Sequence, residues 1–250
     1  MSEELKSLIG IAARRMLDEN GAEAIYRDLL IGYCNLRSEE SQAALADHPT
    51  PHDKPERLLP GAKSAVAVFL PFKDWIVTSN RGGEWASREW ADAYVWTNEM
   101  IERVATIVAL TLQASSHDAR VIRPTGEFSE RTLSADWSHK LIGRMCGLGK
   151  YGIHEMLITP SGCAGRLASV ITTAEFSTTR GHPGEPCGFL RDGSCRECID
   201  ACPVGAITRN GVNREVCYQY CLANEKRFPD LRSPIVCGKC ASVRCSMGPC

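Results

Sequence analysis

The sequence lacks the features that direct a chain to a membrane, to export or to nucleic acid. No run of eighteen apolar residues occurs among its 250 residues, so no membrane span is predicted. The first residues, Met1–Ser7, contain no apolar core of a secretory signal. The 29 Lys and Arg balance 30 Asp and Glu, and there is no long basic run, so a strong electrostatic footprint for nucleic acid is absent. We therefore expect a cytoplasmic protein without a membrane partner.

What the sequence has in excess is cysteine, with thirteen in 250 residues. Because nothing sends the chain to an oxidising compartment, these thiols point to a metal rather than to disulfides. Cys34, Cys146 and Cys163 stand alone in the sequence, and we expect them to be small buried residues. The other ten cysteines follow residue 186, where glycine and proline also become frequent.

The most informative motif is the run Cys195-Arg-Glu-Cys198-Ile-Asp-Ala-Cys202-Pro203. Its spacing and closing proline match the last three ligands of a bacterial ferredoxin-type [4Fe–4S] run, in which the last cysteine ligates the other cluster. This crossing predicts two clusters with mixed ligand sets. The first set is Cys195, Cys198 and Cys245, and the second is Cys202, Cys217, Cys237 and Cys240.

The first set lacks a fourth ligand. The usual cysteine three positions before Cys195 is replaced by Asp192, whose carboxylate binds iron more weakly than a thiolate. Cys187 lies five residues further upstream and is a second candidate, and the sequence does not decide whether Cys221 or Cys250 completes the set instead. The second run is also irregular, because four residues instead of three separate Cys240 from Cys245 and Ser246 stands in place of the proline. Either site could therefore be labile or hold a three-iron cluster.

Zinc is the main alternative metal. The pairs Cys195/Cys198 and Cys237/Cys240 together form a four-cysteine pattern that zinc also favours. Such a site leaves Cys202, Cys217 and Cys245 unexplained, so two iron–sulfur clusters are the better interpretation.

The rest of the chain predicts alternating strands and helices. Helices are expected from Ser2 to about Asn20 and from Ser87 to about Ser115, because apolar residues recur at helical spacing behind a capping serine. A third helix is expected over Ser138–Cys146. Strands are expected over 64–70, 155–159 and 166–173, and residues 35–60, with four prolines, predict a long loop. We therefore predict an α/β (α+β) cofactor-binding-like domain over 1–177, followed by a small dicluster ferredoxin-like domain over 178–250.

A glycine-rich turn, Gly147-Leu-Gly149-Lys-Tyr151-Gly152, matches the dinucleotide pattern G-x-G-x-x-G literally. A helix is predicted before it and a strand after it, which is the reverse of the order that places a pyrophosphate at a helix N-terminus. A nicotinamide site is therefore not favoured. A turn that brings backbone close to another group fits better.

In the order of its motifs the chain resembles the epoxyqueuosine reductase family. The resemblance covers most of residues 55–250. It is carried by Leu59-Pro-Gly-Ala-Lys-Ser-Ala-Val-Ala-Val, the turn at 147–152, Leu157-Ile-Thr-Pro, Arg166-Leu-Ala-Ser-Val-Ile-Thr and the cysteines. The resemblance implies a cobalamin-dependent reductase with two [4Fe–4S] clusters, related to the reductive dehalogenases. A cluster would then feed electrons to a corrinoid in the α/β domain.

The resemblance also implies site residues. Its cofactor contacts fall on Gly147, Gly149, Tyr151 and Gly152. Its proton donor falls near Asp136 or His139, with His154 and Tyr151 as further candidates. The family's long C-terminal helical-repeat region, associated with tRNA, is missing from this chain, which argues against tRNA as a partner.

The resulting hypothesis is an iron–sulfur oxidoreductase that passes single electrons through two clusters to a cofactor or substrate, with a corrinoid as one candidate acceptor. Its expected partners are a low-potential donor such as ferredoxin or flavodoxin and a small-molecule or protein-bound acceptor. The alternative is an electron-transfer or reductive-activator protein with no substrate of its own. A structural zinc protein is a third hypothesis.

Overall fold

A computed structural model describes residues 2–48, 54–123 and 128–250, so Pro49 and Pro51 of the predicted loop lie outside the described residues. The helices are α1 (Ser2–Glu19), α2 (Glu39–Ala46), α3 (Pro55–Leu58), α4 (Asp74–Ser79), α5 (Arg88–Ala114), α6 (His139–Met145), α7 (Gly188–Asp192), α8 (Glu197–Asp200) and α9 (Arg214–Glu225). Short 3-10 helices cover Ala22–Ala24, Lys239–Ala241 and Arg244–Ser246. The strands are β1 (Leu30–Asn35), β2 (Ser64–Pro71), β3 (Ala119–Ile122), β4 (Phe128–Ser129), β5 (Ser134–Ala135), β6 (Lys150–Tyr151), β7 (Leu157–Ile158), β8 (Gly165–Thr172), β9 (Ile207–Thr208) and β10 (Gly211–Val212).

The chain mixes helices and sheets in two compact units. The first unit comprises Met1–Leu70, Glu99–Leu148 and Arg166–His182, and the second comprises Pro71–Asn98, Gly149–Gly165 and Pro183–Cys250. The second unit thus takes in two earlier segments in addition to the cysteine-rich one. The division into an α/β domain over 1–177 and a ferredoxin-like domain over 178–250 stays a prediction from the sequence.

The largest sheet has four strands in the order β1-β2-β8-β3. Strands β1 and β2 pair antiparallel, with Tyr33 opposite Val66, and β3 and β8 pair antiparallel, with Val121 opposite Val170. All eight residues of β2 are buried. A strand that is paired on both edges and covered on both faces needs a continuous apolar run, which is the pattern that predicted it.

The two long helices follow their apolar spacing and their caps. In α1, Leu5, Ile9 and Ala13 are buried at intervals of four residues. The helix α5 begins where the Ser87 hydroxyl accepts a hydrogen bond from the Trp90 N–H at 3.1 Å. Ser138 caps α6 in the same way, through the N–H of Leu141. These three helices confirm the predicted ones.

Two expectations were wrong in detail. The predicted loop over 35–60 contains α2 and α3. Only Ser41 of α2 is buried, so that helix has no apolar face for the sequence to reveal. The strand predicted over 155–159 is reduced to the two residues of β7. Within the described parts of the chain, every helix is too short or too polar to cross a bilayer.

Candidate metal centre

The cysteines of the second unit lie on short helices and tight turns. Cys195 precedes α8, Cys198 lies within it, and Cys202 follows it. Cys217 and Cys221 lie one turn apart on α9, which begins where the Asn213 side chain accepts the N–H of Val216. The remaining cysteines follow in the irregular end of the chain: Cys237, Cys240, Cys245 and Cys250.

The first predicted set comes together in space. Burial raises the pKa of the Cys198 thiol to about 12, and the neighbouring thiolates of Cys245, Cys187 and Cys195 raise it further in the same direction. Cys245 is 47 positions away in the sequence and yet is the strongest thiol neighbour of Cys198. The proximity of Cys245 to Cys198 is the one that the ferredoxin-type crossing requires.

The thiols of the second predicted set lie near one another. Burial raises the pKa of the Cys237 thiol to about 11, and nearby Cys217 and Cys202 raise it in the same direction. Burial also raises the pKa of Cys240, which lies near Cys237, Cys217 and Cys202 and also near Cys198 of the first set. The sulfur of Cys202 accepts the backbone N–H of Ala206 at 3.2 Å.

Cys221 lies beside the second set. A hydrogen bond to Cys217, burial, and the nearby thiolates of Cys237 and Cys240 raise the pKa of the Cys221 thiol. The Cys221 sulfur is thus a fifth sulfur close to the four cysteines of the second set.

The candidates for the missing ligand of the first set differ in their surroundings. The carboxylate of Asp192 is exposed and accepts hydrogen bonds from the Ser194 N–H and from Arg191, which hold its pKa at about 2. Burial and the neighbouring Cys245 thiolate raise the pKa of Cys250 to about 12. Cys187 and Cys250 thus adjoin the set as thiols, whereas the Asp192 carboxylate is held by Ser194 and Arg191. The ligand assignment itself stays a prediction.

A group that the sequence did not reveal lies at Cys245. The ligand atoms of His154, Cys163 and Cys245 are all buried and lie within 4.8 Å of one another. His154 Nε2 is 3.2 Å from Cys245 Sγ, and Cys163 Sγ is 3.8 Å from the same sulfur. Cys163 is buried, as expected for an isolated cysteine, but its position 82 residues before Cys245 gave no sign of this contact.

Asn80 and Lys239 hold the turn that carries Cys237 and Cys240. The fully buried Asn80 amide donates to the Cys237 carbonyl at 3.1 Å and to the Ser242 hydroxyl at 3.0 Å. The buried Lys239 ammonium donates to the carbonyls of Asn80 and Gly82, at 3.0 and 2.6 Å. Burial lowers the pKa of Lys239, while the Cys237 thiolate acts in the opposite direction.

Replacement of Asn80 by alanine is expected to destabilise the protein by about 2 to 3 kcal/mol, because it leaves several buried polar partners unpaired. The Asn80 side chain also accepts the Ser87 N–H, so three partners lose a hydrogen bond together. The measurement is the urea midpoint of unfolding at unchanged m-value. The matched variant is Asn20→Ala, at an exposed asparagine directly after α1, and it should stay within about 0.5 kcal/mol of the wild type. Equal effects of the two substitutions would contradict this role of Asn80.

Two buried polar groups test whether the cysteines fit a cluster. Over the described residues, the Trp90 indole N–H and the Ser246 hydroxyl are the buried side-chain groups that find no hydrogen-bond partner. Trp90 lies against Gly238 in one cysteine turn, since a Cβ at position 238 would be 2.2 Å from its Nε1, and Ser246 follows Cys245 directly. Sulfur atoms of an iron–sulfur cluster accept such hydrogen bonds. Each cysteine set thus has one unused donor, which fits a cluster in each.

The glycine-rich turn serves close packing. The helix α6 precedes it, the strand β6 lies within it and β7 follows, so the strand–turn–helix order that binds a pyrophosphate is absent here. A Cβ at Gly147, which has φ +71°, would lie 2.3 Å from the Thr179 carbonyl oxygen, and one at Gly149 would lie 2.2 Å from that of Ile158. Tyr151 lies half-buried on β6. A cofactor contact of Gly147, Gly149, Tyr151 and Gly152 stays a prediction.

The predicted proton donors are divided between the two units. Asp136 is exposed in the first unit. His139, also in the first unit, has both ring nitrogens engaged, with Nδ1 at 2.8 Å from the Ser169 hydroxyl and Nε2 at 3.2 Å from the Arg123 carbonyl oxygen. His154 belongs to the second unit and is buried beside Cys245. A catalytic role for any of the three stays a prediction.

In sequence the chain is similar to epoxyqueuosine reductases. It is 27% identical to that of Bacillus subtilis over 188 residues, 70% of this chain and 44% of the relative. It is 29% identical to that of Bacillus cereus over 167 residues, 63% of this chain and 39% of the relative. The chain therefore spans less than half the length of these curated relatives. No protein-family model matches it.

Solved structures extend the likeness to the fold. An epoxyqueuosine reductase with an epoxyqueuosine-modified tRNA-Tyr stem loop superposes with a TM-score of 0.56 at 20% identity, covering 92% of this chain and 64% of that one. A catabolic reductive dehalogenase gives a TM-score of 0.56 at 18% identity, covering 79% and 28%. The tRNA bound by the first of these weighs against our expectation that tRNA is not a partner. The resemblance inferred from the motifs is confirmed: the chain is similar in sequence to the epoxyqueuosine reductases and has a fold found in them and in the reductive dehalogenases.

Proposed function

We propose that this protein is an iron–sulfur reductase with two [4Fe–4S] clusters in its second unit. The observation that supports the proposal is the set of thiol neighbours of Cys198 and Cys237: Cys245 raises the pKa of Cys198, while Cys217 and Cys202 raise that of Cys237, as two crossed cysteine sets would require. The first cluster would be held by Cys195, Cys198 and Cys245 with Cys187 or Cys250, and the second by Cys202, Cys217, Cys237 and Cys240. Cysteine-ligated clusters supply one-electron transfer at low potential.

The protein would contribute burial of the cysteine thiols and hydrogen bonds to their sulfurs. Burial and neighbouring thiolates raise the pKa of Cys198 and Cys237 to about 12 and about 11, so these thiols are protonated at neutral pH until a metal displaces the protons. Assembly of the centre should therefore release protons and become weaker as the pH falls. The N–H of Ala206 and the unused donors of Trp90 and Ser246 would then stabilise the negative sulfurs.

A cleft gives the second unit a surface from which electrons can enter. Its volume is about 830 Å³, and it is lined by residues that flank cluster cysteines of both sets, among them Asp200, Ala201, Pro203, Lys239, Val243 and Arg244. A low-potential donor such as ferredoxin or flavodoxin that docks here would approach the second set through the segments on either side of Cys202 and Cys240.

The proposed electron acceptor would bind in the predicted α/β domain. The similarity to epoxyqueuosine reductases supports a reductase, and one reductive dehalogenase with the same fold is described as B12-dependent. A corrinoid is therefore the first acceptor to test, with a small-molecule or protein-bound substrate beyond it. No observation favours an electron-transfer or activator protein without its own substrate.

The test is iron and acid-labile sulfide content with EPR of anaerobically purified, dithionite-reduced protein. About eight irons per chain with interacting S = 1/2 signals are expected. About four irons per chain would mean that one cysteine set does not hold a cluster, and we expect this to be the first set, which lacks the usual fourth cysteine. Zinc without iron would overturn the proposal. Titration of the reconstituted protein with cobalamin, followed by its visible absorption, then tests the acceptor.

A further inference from the structure

His154 is buried with both of its ring nitrogens in contact. Its side chain is only 2% exposed. The backbone N–H of Met156 donates to Nδ1 at 3.1 Å, and Nε2 lies 3.2 Å from Cys245 Sγ. A neutral imidazole has one N–H and one lone pair. Since the Nδ1 lone pair accepts the Met156 N–H, the proton must be on Nε2, where Cys245 Sγ at 3.2 Å is a nearer acceptor than Cys163 Sγ at 3.7 Å.

This tautomer decides between two roles. A histidine that ligates a metal uses one nitrogen for the metal and donates the N–H of the other to a neighbouring acceptor. Here the other nitrogen, Nδ1, accepts a hydrogen bond instead. Ligation through Nε2 would leave the ring without any proton, as an imidazolate. Donation from Nε2–H to a thiolate needs no such change.

We infer that His154 is a hydrogen-bond donor to the Cys245 thiolate and thereby raises the reduction potential of the first cluster. The inference rests on the proposed function. Hydrogen bonds to cluster sulfurs are one of the determinants of cluster potential. Because reduction adds negative charge to the cluster, a donor stabilises the reduced form more than the oxidised one.

The surroundings hold both partners of this hydrogen bond in place. The ring lies over Gly152, where a Cβ would come within 2.7 Å of His154 Cε1. On the other side, the N–H of Cys163 donates to the Cys245 carbonyl at 2.9 Å, and the N–H of Ala164 donates to that of Ser246 at 3.2 Å. A glycine is therefore needed at position 152, because any side chain there would collide with the imidazole of His154.

The experiment compares His154→Leu and His154→Gln in anaerobic redox titrations followed by EPR. In His154→Leu the ratio of reduced to oxidised first cluster, at the wild-type midpoint potential, should fall about tenfold, a shift of about 59 mV for one electron. The second cluster should keep its midpoint. In His154→Gln, whose amide N–H can replace the donor, the shift should be smaller. The control is His117→Leu in the first unit, which should leave both midpoints unchanged.

Unmoved midpoints in His154→Leu with both clusters present would overturn the inference. A measurement on the unmutated protein keeps the test independent of variant folding: pulsed EPR of reduced protein labelled with 15N-histidine. A weak 15N coupling, transmitted through the hydrogen bond, is expected. A strong coupling, typical of direct ligation, or none at all would overturn the role of His154. Absence of iron from the wild type would instead overturn the proposed function.

Discussion

Replacement of Cys202 by serine should remove the second cluster and leave the first, although Cys202 follows Cys198 by only four residues. The reason is spatial, since Cys202 is among the thiols that raise the pKa of Cys237, whereas the thiols that raise the pKa of Cys198 are Cys245, Cys187 and Cys195. A serine hydroxyl stays protonated and binds iron far more weakly than a thiolate does. Iron should fall from about eight to about four per chain, with loss of the interaction between two S = 1/2 signals.

Double substitutions then show which cysteines share a cluster. Cys202→Ser combined with Cys217→Ser should keep about four irons, because both residues belong to the second set. Cys202→Ser combined with Cys198→Ser should lose nearly all iron, because one ligand is removed from each set. The control is Cys146→Ser, a buried cysteine of the first unit whose thiol contacts the Ala65 carbonyl. The reverse result for the two doubles would mean that the sets are not crossed.

A methyl group at position 238 should be among the most damaging small changes in this chain. Gly238 has φ +72°, and a Cβ there would lie 2.2 Å from Trp90 Nε1 and Cε2. Left-handed backbone strain and overpacking together predict that Gly238→Ala destabilises the protein by about 2 to 5 kcal/mol. The damaged turn carries Cys237 and Cys240, so iron content should fall as well. Urea unfolding and iron analysis of the same preparation measure both effects.

Gly205→Ala separates the two causes. Gly205 has a similar φ of +61°, but a Cβ there meets nothing within 4 Å. The backbone strain alone predicts a loss of about 1 to 2 kcal/mol with unchanged iron. If the two variants lose equal stability, the contact between Trp90 and Gly238 has no part in holding the turn.

The sequence predicted those parts of the fold in which local pattern and burial agree. The strand β2 and the helix α5 have apolar residues where their surroundings require them. The strand β1 was missed because Gly32 interrupts it. A Cβ at Gly32 would lie 2.3 Å from the Cys146 carbonyl oxygen, so the residue that weakens the strand signal is required by tertiary packing.

For the candidate site, ferredoxin-like spacing predicts that Cys245 belongs to one set and Cys202 to the other, and this assignment stays a prediction. The roles of Asn80 and Cys163 were not predictable, since they arise from contacts with Cys237 and Cys245 across more than 80 positions of sequence. A catalytic role for His154 stays a prediction, and its contact with Cys245 was not foreseen from the sequence.

The evolution of this sequence is constrained by contacts between distant segments. Residues 162–164 approach residues 245–246, and Asn80 and Trp90 approach the turn at Cys237. A copy of residues 178–250 grafted onto another protein would carry the sulfurs without Asn80, Trp90 and Gly162, which shape the turns around them. The cysteine-rich segment is therefore not expected to keep its structure when it is transferred alone. Substitutions at Asn80, Trp90 and Gly162 are constrained by their contacts with the turns at 237–238 and 246–247.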